Sequence, residues 1–278
     1  MDRARRALGQ RRIGHTGTLD PLATGVLPLC LGRATRLASF LSAGAKAYEA
    51  TLRLGFSTTT DDRAGEPLGE ARAVSIERQE VEAACRGFAG EIDQLPPAFS
   101  AKKVGGQRLY ALARRGETAE RRPARVTIQS LEVTHVAGDL VRLRVRCSAG
   151  TYIRALARDI GSALGVGGHL TSLRRTESAG YGLERAATWS ELTEENREGL
   201  LAKLNPINTL LTDFPAVTVT AEGRVAVRHG RALAPASLAS GREWESAPHV
   251  RLMDGDGVFL ALAAPRAGRL HPHLVLVD

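Results

Sequence analysis

The chain has 278 residues, enough for a large domain and a small one, and its formal net charge is +8 because 38 lysines and arginines outnumber 30 aspartates and glutamates. No apolar run approaches the roughly 18 residues of a membrane-spanning helix, and no signal-peptide pattern opens the chain, so we expect a cytoplasmic protein. A basic balance of this size attracts polyanions such as nucleic acids. The three cysteines are odd in number and far apart, which argues against a disulfide framework and a zinc site.

In chain order, the first distinctive segment is residues 14–36, which reads GHTGTLDPLATGVLPLCLGRATR. Asp20 is its only carboxylate, and the ring of Pro21 disfavours a helical conformation at Asp20. Gly17 and Gly25 bracket the acid and permit positive φ angles. The pattern predicts a displayed carboxylate, although the same residue types also form ordinary surface turns.

Periodic patterns predict the main elements that follow. Alternation of apolar and polar residues indicates half-buried antiparallel strands at 48–54 and 141–146. Helical spacing of apolar residues indicates helices at 77–88 and 153–164. After Pro215, short alternating runs between glycine and proline turns predict a small all-β module. Together these elements predict an α+β catalytic domain and not a doubly wound one.

A candidate RNA-contacting arm lies at about residues 95–126, where prolines and glycines surround a short predicted helix at 108–114. Arginine forks onto phosphates and stacks on bases, although a generally basic solvated surface is the alternative. A second basic cluster consists of Arg174 and Arg175. The basic residues clustered in the arm are Lys102, Lys103, Arg108, Arg114, Arg115, Arg121, Arg122 and Arg125.

The segment CSAGTYIR at 147–154 joins a strand, a tight turn and the start of a helix, which places Tyr152 and Arg154 at the edge of the sheet. A guanidinium is always charged, so an Arg154 that faced Asp20 would favour the ionised carboxylate. The alternative is a surface arginine that balances Asp159 along the helix.

Taken together, the order and spacing of five segments resemble the TruB family, the tRNA pseudouridine-55 synthases. The resemblance implies a pseudouridine synthase fold with a mainly antiparallel mixed sheet flanked by helices. It further implies a catalytic domain over 1–214 and a small β-rich, PUA-like RNA-binding domain over 215–278. The five segments are GHTGTLDPLATGVLPLCLGRATR (14–36), KAYEATLRLG (46–55), PPAFSAKKVGGQRLYALARRG (96–116), CSAGTYIRALARDIG (147–161) and GGHLTSLRRTESAGYG (167–182).

The resemblance also implies roles for individual residues. Asp20 stands at the catalytic aspartate, which would attack the uracil ring or the sugar of the target nucleotide. Tyr48 matches the aromatic residue that packs on the base, Arg154 the arginine that pairs with the nucleophile, and His15 the residue that takes the space of the extruded base. The complete set of implied substrate-contacting residues is His15, Lys46, Tyr48, Tyr152, Arg154 and Leu173.

The activity implied is isomerisation of uridine to pseudouridine at position 55 in the T loop of tRNA. The expected partner is the T-arm stem-loop of tRNA, without a cofactor, a metal, a membrane or an obligate protein partner, and we expect a monomer. Family members usually open with a strand bearing Lys-Pro-x-Gly-x-Thr-Ser, whereas this chain begins at Met1 inside the following helix. We therefore expect that a segment is missing before Met1.

Two other classes of function compete with this interpretation. A glycoside hydrolase or nucleosidase would need a paired acid, and the nearest candidates, Asp61 and Asp62, lie in a loop segment where we expect both to be solvated. A non-catalytic RNA-binding or RNA-folding protein would also suit the basic arm and the β module.

Overall fold

The structure is a computed structural model that describes residues 1–100, 103–104, 107–108, 110, 115, 120–240 and 244–277. Contacts between Cα atoms divide the chain into two compact units. The first unit comprises Met1–Thr16, Leu29–Leu41 and Ala187–Asp278, and the second comprises Gly17–Pro28 and Ser42–Ala186. The domain boundary expected after residue 214 falls within the first unit and stays a prediction.

The described residues form short helices and a larger number of strands. The helices are α1 (Asp2–Leu8), α2 (Ala38–Ser42), α3 (Arg78–Arg86), α4 (Ile153–Ala163), α5 (Arg197–Ala202) and α6 (Ala221–Arg228). Short 3-10 helices are Gly32–Leu37, Leu183–Arg185, Ile207–Thr209 and Pro235–Ser237. The strands are β1 (Ile13–His15), β2 (Ala23–Gly25), β3 (Leu29–Leu31), β4 (Lys46–Leu54), β5 (Ser57–Thr58), β6 (Pro67–Leu68), β7 (Gly90–Gln94), β8 (Lys103–Val104), β9 (Gln107–Arg108), β10 (Ala124–Ala137), β11 (Leu140–Cys147), β12 (Gly168–Ser178), β13 (Tyr181–Gly182), β14 (Ala216–Val219), β15 (Leu238–Ser240), β16 (Val250–Met253), β17 (Phe259–Arg266) and β18 (Arg269–Val275).

A seven-stranded sheet organises the second unit. Its order is β13-β12-β4-β11-β10-β7, and all of these neighbours are antiparallel. Strand β2 joins the sheet by running parallel to β12, so the sheet is mixed and mainly antiparallel, as expected. The strands predicted at 48–54 and 141–146 are confirmed as β4 and β11, which pair with Tyr48 opposite Val145.

One face of this sheet carries the core. Side chains alternate between buried and exposed along β4 and β11, and the buried ones pack against α3 and α4, which confirms both predicted helices. Leu52, Leu143, Leu156 and Ile160 are fully buried there. Each such side chain contributes about 1.5–3 kcal/mol relative to an exposed one, so the core fixes the start of α4 against β4.

The first unit contains a five-stranded sheet of order β15-β14-β16-β17-β18 and a pair formed by β1 and β3. The strands expected after Pro215 are present, but the all-β interpretation was wrong, because helix α6 lies among them. The hydroxyl of Thr220 caps α6 by accepting a hydrogen bond from the backbone N–H of Gly223 at 3.1 Å.

The expected arm at 95–126 lies partly outside the described residues. Arg108 belongs to the short strand β9, which pairs with β8, whereas residues 109 and 111–114 of the predicted helix are not among those described. None of the helices in the described part of the chain is long and apolar enough to cross a membrane.

Candidate active site

Asp20 and Arg154 form a bidentate ion pair in the second unit. Nε of Arg154 donates to Oδ2 of Asp20 at 2.8 Å, and Nη2 donates to Oδ1 at 2.9 Å. The Arg154 side chain is 6% exposed, whereas that of Asp20 is 30% exposed. Charge-assisted hydrogen bonds to both oxygens align the carboxylate with the guanidinium plane. The acid is therefore held in one orientation while part of it still faces solvent.

The alternative partner of Arg154 is not used. Asp159 pairs instead with the next arginine of α4, since Nε of Arg158 lies 2.9 Å from Oδ1 of Asp159. Arg154 sits at the second residue of α4 and turns inward to Asp20. The pairing considered from the sequence is thus the one that the structure has, while the roles of both residues stay predictions.

The remaining donors of Arg154 are satisfied by two other segments. Nη1 donates to the carbonyl of Thr60 at 3.1 Å and lies 3.6 Å from Oδ2 of Asp62. Nη2 also donates to the carbonyl of Phe99 at 3.0 Å. Together these hydrogen bonds fix the orientation of the guanidinium plane. Arg154 therefore cannot rotate away from Asp20 without losing several hydrogen bonds at once.

The expectation that Asp61 and Asp62 are solvated was wrong, because both are buried. Oδ1 of Asp62 accepts hydrogen bonds from the Thr60 hydroxyl at 2.7 Å and from the Ala64 N–H at 2.9 Å. Burial raises the pKa of Asp61, and the nearby guanidinium of Arg158 opposes that rise. Arg154 and Arg158 of α4 therefore both form ion pairs with the buried loop at Asp61 and Asp62. Asp62 is a second carboxylate beside Arg154, the arginine that bonds Asp20.

Tyr48 and Lys46 point from β4 to the buried face of the sheet. Nζ of Lys46 donates to the carbonyls of Ser42 at 2.8 Å and Gly44 at 2.9 Å, and burial followed by repulsion from Arg175 lowers its pKa. Burial raises the pKa of Tyr48 to about 12. Tyr48 is therefore a neutral phenol at physiological pH, suited to packing and not to acting as a base.

Arg175 is a site residue that the sequence did not single out correctly. The interpretation of Arg174 and Arg175 as one basic cluster was wrong, because Arg174 is exposed while Arg175 is 2% exposed. Nε of Arg175 donates to the carbonyl of Val26 at 2.7 Å and Nη2 to that of Gly17 at 3.1 Å. These bonds hold both sides of the segment that carries Asp20. Alternation along β12 could have revealed this, since Arg175 shares a face with the buried Leu173.

Leu173 and Tyr152 lie on different elements of the second unit. Leu173 is buried in β12, opposite Ala23 of β2 and Ala50 of β4. Tyr152 precedes α4 and is half-buried. Its backbone N–H donates to the side-chain oxygen of Gln94 at 2.8 Å, and its carbonyl accepts from the Gln94 amide at 3.1 Å. Gln94 therefore joins the beginning of α4 to the end of β7.

His15 lies in the first unit, at the end of β1, and is exposed. Among the described residues, no group of three or more histidine, cysteine, aspartate or glutamate side chains is arranged to hold a metal ion. The second unit offers an oriented carboxylate, buried arginines and an aromatic ring.

Comparison with known proteins places these features in a family. A family model described as TruB family pseudouridylate synthase, N-terminal domain, matches residues 5–153, and one described as tRNA pseudouridylate synthase B C-terminal domain matches residues 154–212. The chain is 44% identical to tRNA pseudouridine synthase B of Burkholderia mallei (strain NCTC 10247), over 99% of this chain and 91% of that protein. It is 46% identical to tRNA pseudouridine synthase B of Thermobifida fusca (strain YX), over 98% of this chain and 92% of that protein.

Solved structures show the same fold. The crystal structure of a Cbf5-Nop10-Gar1 complex matches with a TM-score of 0.74 and 26% identity, over 99% of this chain and 79% of that chain. An H/ACA RNP bound to a substrate RNA containing 2'-deoxyuridine matches with a TM-score of 0.72 and 24% identity, over 99% of this chain and 79% of that chain. These matches confirm the fold class expected from the sequence.

Proposed function

We propose a specific reaction from the premise that the chain belongs to the TruB family of pseudouridylate synthases and is an enzyme of that family. In this proposal it converts uridine to pseudouridine at position 55 in the T loop of tRNA, with Asp20 as the nucleophile. The observation that carries the proposal is the bidentate pair of Asp20 with the buried guanidinium of Arg154. It supplies a carboxylate that is oriented and still partly accessible.

The proposed reaction needs no external reactant, because uridine and pseudouridine are isomers. Asp20 attacks the uracil ring or the sugar, and the glycosidic carbon–nitrogen bond breaks. The base turns while it remains in the site, and a bond forms between the sugar carbon and carbon 5 of the base. The bond to Asp20 breaks and regenerates the carboxylate, the proton on carbon 5 leaves to water, and the former glycosidic nitrogen takes up a proton. Covalent attachment to the carboxylate divides one difficult step into easier ones.

Four residues of the second unit suit a flipped-out base. The neutral ring of Tyr48 packs on the uracil, Leu173 and Tyr152 line the pocket, and Lys46 lies near the RNA. For His15, in the first unit, we keep the role implied by the family resemblance, that of the residue that takes the space of the extruded base. Extrusion of a base costs a few kcal/mol, and stacking on an aromatic ring returns about 1–3 kcal/mol.

We assign tRNA as the partner from the names of the relatives and from the basic balance of the chain. In this proposal the enzyme works in the cytoplasm as a monomer on the T-arm stem-loop, without an obligate protein partner, a cofactor or a metal. A folded stem-loop is read by shape and by its unstacked loop bases.

The test uses a T-arm stem-loop RNA with tritium at carbon 5 of uridine, since only formation of the new bond releases the label to water. Wild-type protein should release tritium, and Asp20→Asn should lower the rate at least about a thousandfold, as loss of a nucleophile does, without loss of RNA affinity. The matched control is Asp139→Asn, which neutralises an acid of the same unit that pairs with Arg53 at 2.7 Å. Release of free uracil would instead identify a glycosidase, and full turnover by Asp20→Asn would refute the assigned role.

A further inference from the structure

A second arginine of α4, Arg158, lies one helical turn after Arg154 and has no part in the reaction proposed above. Each of the three nitrogen atoms of its guanidinium donates to a different residue. Nη1 lies 2.9 Å from Oδ2 of Asp61, Nη2 donates to the carbonyl of Leu95 at 3.0 Å, and Nε donates to Asp159 at 2.9 Å. The Arg158 side chain is 20% exposed and that of Asp61 is 11% exposed, so this pair is largely withdrawn from water.

The first segment that Arg158 holds is the loop that supplies two acceptors to Arg154. Asp61 lies between Thr60, whose carbonyl accepts from Arg154, and Asp62, whose carboxylate lies 3.6 Å from Arg154. Asp61 has a φ of 60°, in the left-handed region that costs a non-glycine residue free energy. The ion pair with Arg158 therefore stabilises a backbone conformation that would otherwise relax and move both acceptors.

The second segment that Arg158 holds delivers the remaining carbonyl to Arg154. Leu95, whose carbonyl accepts from Arg158, begins the short stretch that ends at Phe99, whose carbonyl accepts from Arg154. The next carbonyl, that of Pro96, accepts from Nη1 of Arg121 at 3.1 Å. The stretch is thus fixed to α4 at both of its ends.

We infer that Arg158 is a positioning residue for the proposed isomerisation, acting through the loop at Asp61 and the segment at Leu95 to fix the guanidinium of Arg154 on Asp20. Residues four apart share one face of a helix, and a planar guanidinium can bond a carboxylate and a carbonyl at fixed angles. The two arginines therefore grip the same two segments from one helix. This inference rests on the proposed function, because it assigns Arg158 to the same site.

The experiment measures single-turnover tritium release and RNA affinity for Arg158→Gln, Arg158→Lys and a matched control, well below each variant's unfolding temperature. Misplacement of a reacting group by about 1 Å can cost about a hundredfold in rate, so Arg158→Gln should be about 10- to 100-fold slower with its Kd for the stem-loop within about twofold of wild type. Arg158→Lys keeps the positive charge but not the planar guanidinium, and its rate should lie between those of wild type and Arg158→Gln. The control is Arg78→Gln on α3, since Arg78 also bonds a carboxylate, that of Glu82 at 2.6 Å, and a carbonyl, that of Val133 at 2.7 Å.

Each outcome decides the inference. A rate for Arg158→Gln within about twofold of wild type overturns it, and so does a loss of affinity by the same factor as the rate. If Arg158→Gln does not fold, Arg158→Lys and Asp61→Asn carry the test, and wild-type rates in both overturn the inference. If wild-type protein releases no tritium, the proposed function fails and this inference with it. If wild type and Arg78→Gln are equally active and the Arg158 variants match them, only the positioning role fails.

Discussion

Substitution of Gly25 tests how the segment that carries Asp20 is fixed to the sheet. Gly25 is the last residue of β2, has a φ of 97° and lies opposite Arg175 of β12. The two strands are parallel. The backbone N–H of Val26 donates to the carbonyl of Arg175 at 2.8 Å, and Nε of Arg175 donates to the carbonyl of Val26 at 2.7 Å. Two strands thus approach closely where only a hydrogen can fit between them.

The cost of Gly25→Ala has two parts. A left-handed φ disfavours any residue with a Cβ by about 1–2 kcal/mol. The added Cβ would also lie 2.1 Å from the carbonyl oxygen and 2.9 Å from the backbone nitrogen of Arg175, contacts that β2 can relieve only by moving away from β12. Overpacking of this kind costs about 1–3 kcal/mol. We expect Gly25→Ala to lower the free energy of unfolding by about 2–5 kcal/mol.

The matched control is Gly138→Ala, in the turn between β10 and β11 of the same unit. Gly138 has a φ of 57° and no atom within 4 Å of an added Cβ, so only the conformational cost of about 1–2 kcal/mol applies. Urea unfolding measures both variants, and single-turnover tritium release measures their activity. Gly25→Ala should also lose activity, because movement of β2 displaces Asp20, whereas Gly138→Ala should not. Equal stability and equal activity of the two variants would refute the close-approach argument.

Two further predictions concern residues around Asp20. Asp62→Asn keeps an oxygen that can accept a hydrogen bond from Thr60 but removes the carboxylate charge near Arg154. The single-turnover rate should therefore fall about tenfold, with RNA affinity unchanged. A wild-type rate would show that Asp62 does not help to hold Arg154. Burial raises the pKa of Tyr48 from 10.0 to about 12. Between these values the unfolded chain loses the phenol proton while the folded chain keeps it, so the free energy of unfolding should be unchanged below about pH 10 and should fall as the pH rises toward 12. The difference in tyrosinate absorbance between wild type and Tyr48→Phe should stay flat up to about pH 10.5, and an earlier rise would contradict the buried phenol.

The local patterns that predicted the fold correctly are those in which neighbouring residues decide the outcome. Alternation along β4 and β11 and helical spacing along α4 reflect burial of one face, which each segment encodes by itself. Helix α6 was missed because an eight-residue helix between short strands carries only a weak periodic signal, and its strongest mark is the single capping residue Thr220.

The environment of the acids could not be derived in this way. The run TTTDD has the composition of a solvated loop, and what buries it is Arg154 on a helix 94 residues beyond Thr60. Alternation along β12 could indicate that Arg175 is buried, but not its carbonyl partners, because Gly17 and Val26 are distant in sequence. Charged residues of this unit are paired in the interior through long-range ion pairs and carbonyl contacts, and no local pattern identifies those partners.

The segment that carries Asp20 has little core of its own, and this explains why arginines dominate the site. It joins the sheet through three residues of β2, and its acid and its two flanks are bonded by Arg154 and Arg175. Guanidinium groups suit this task because each can satisfy several carbonyl and carboxylate oxygens in one plane without deprotonation. Apolar packing alone would fix the position of the segment but not the angle of a carboxylate. The buried arginines therefore supply orientation, and they are withdrawn from the solvent ions that screen exposed charges.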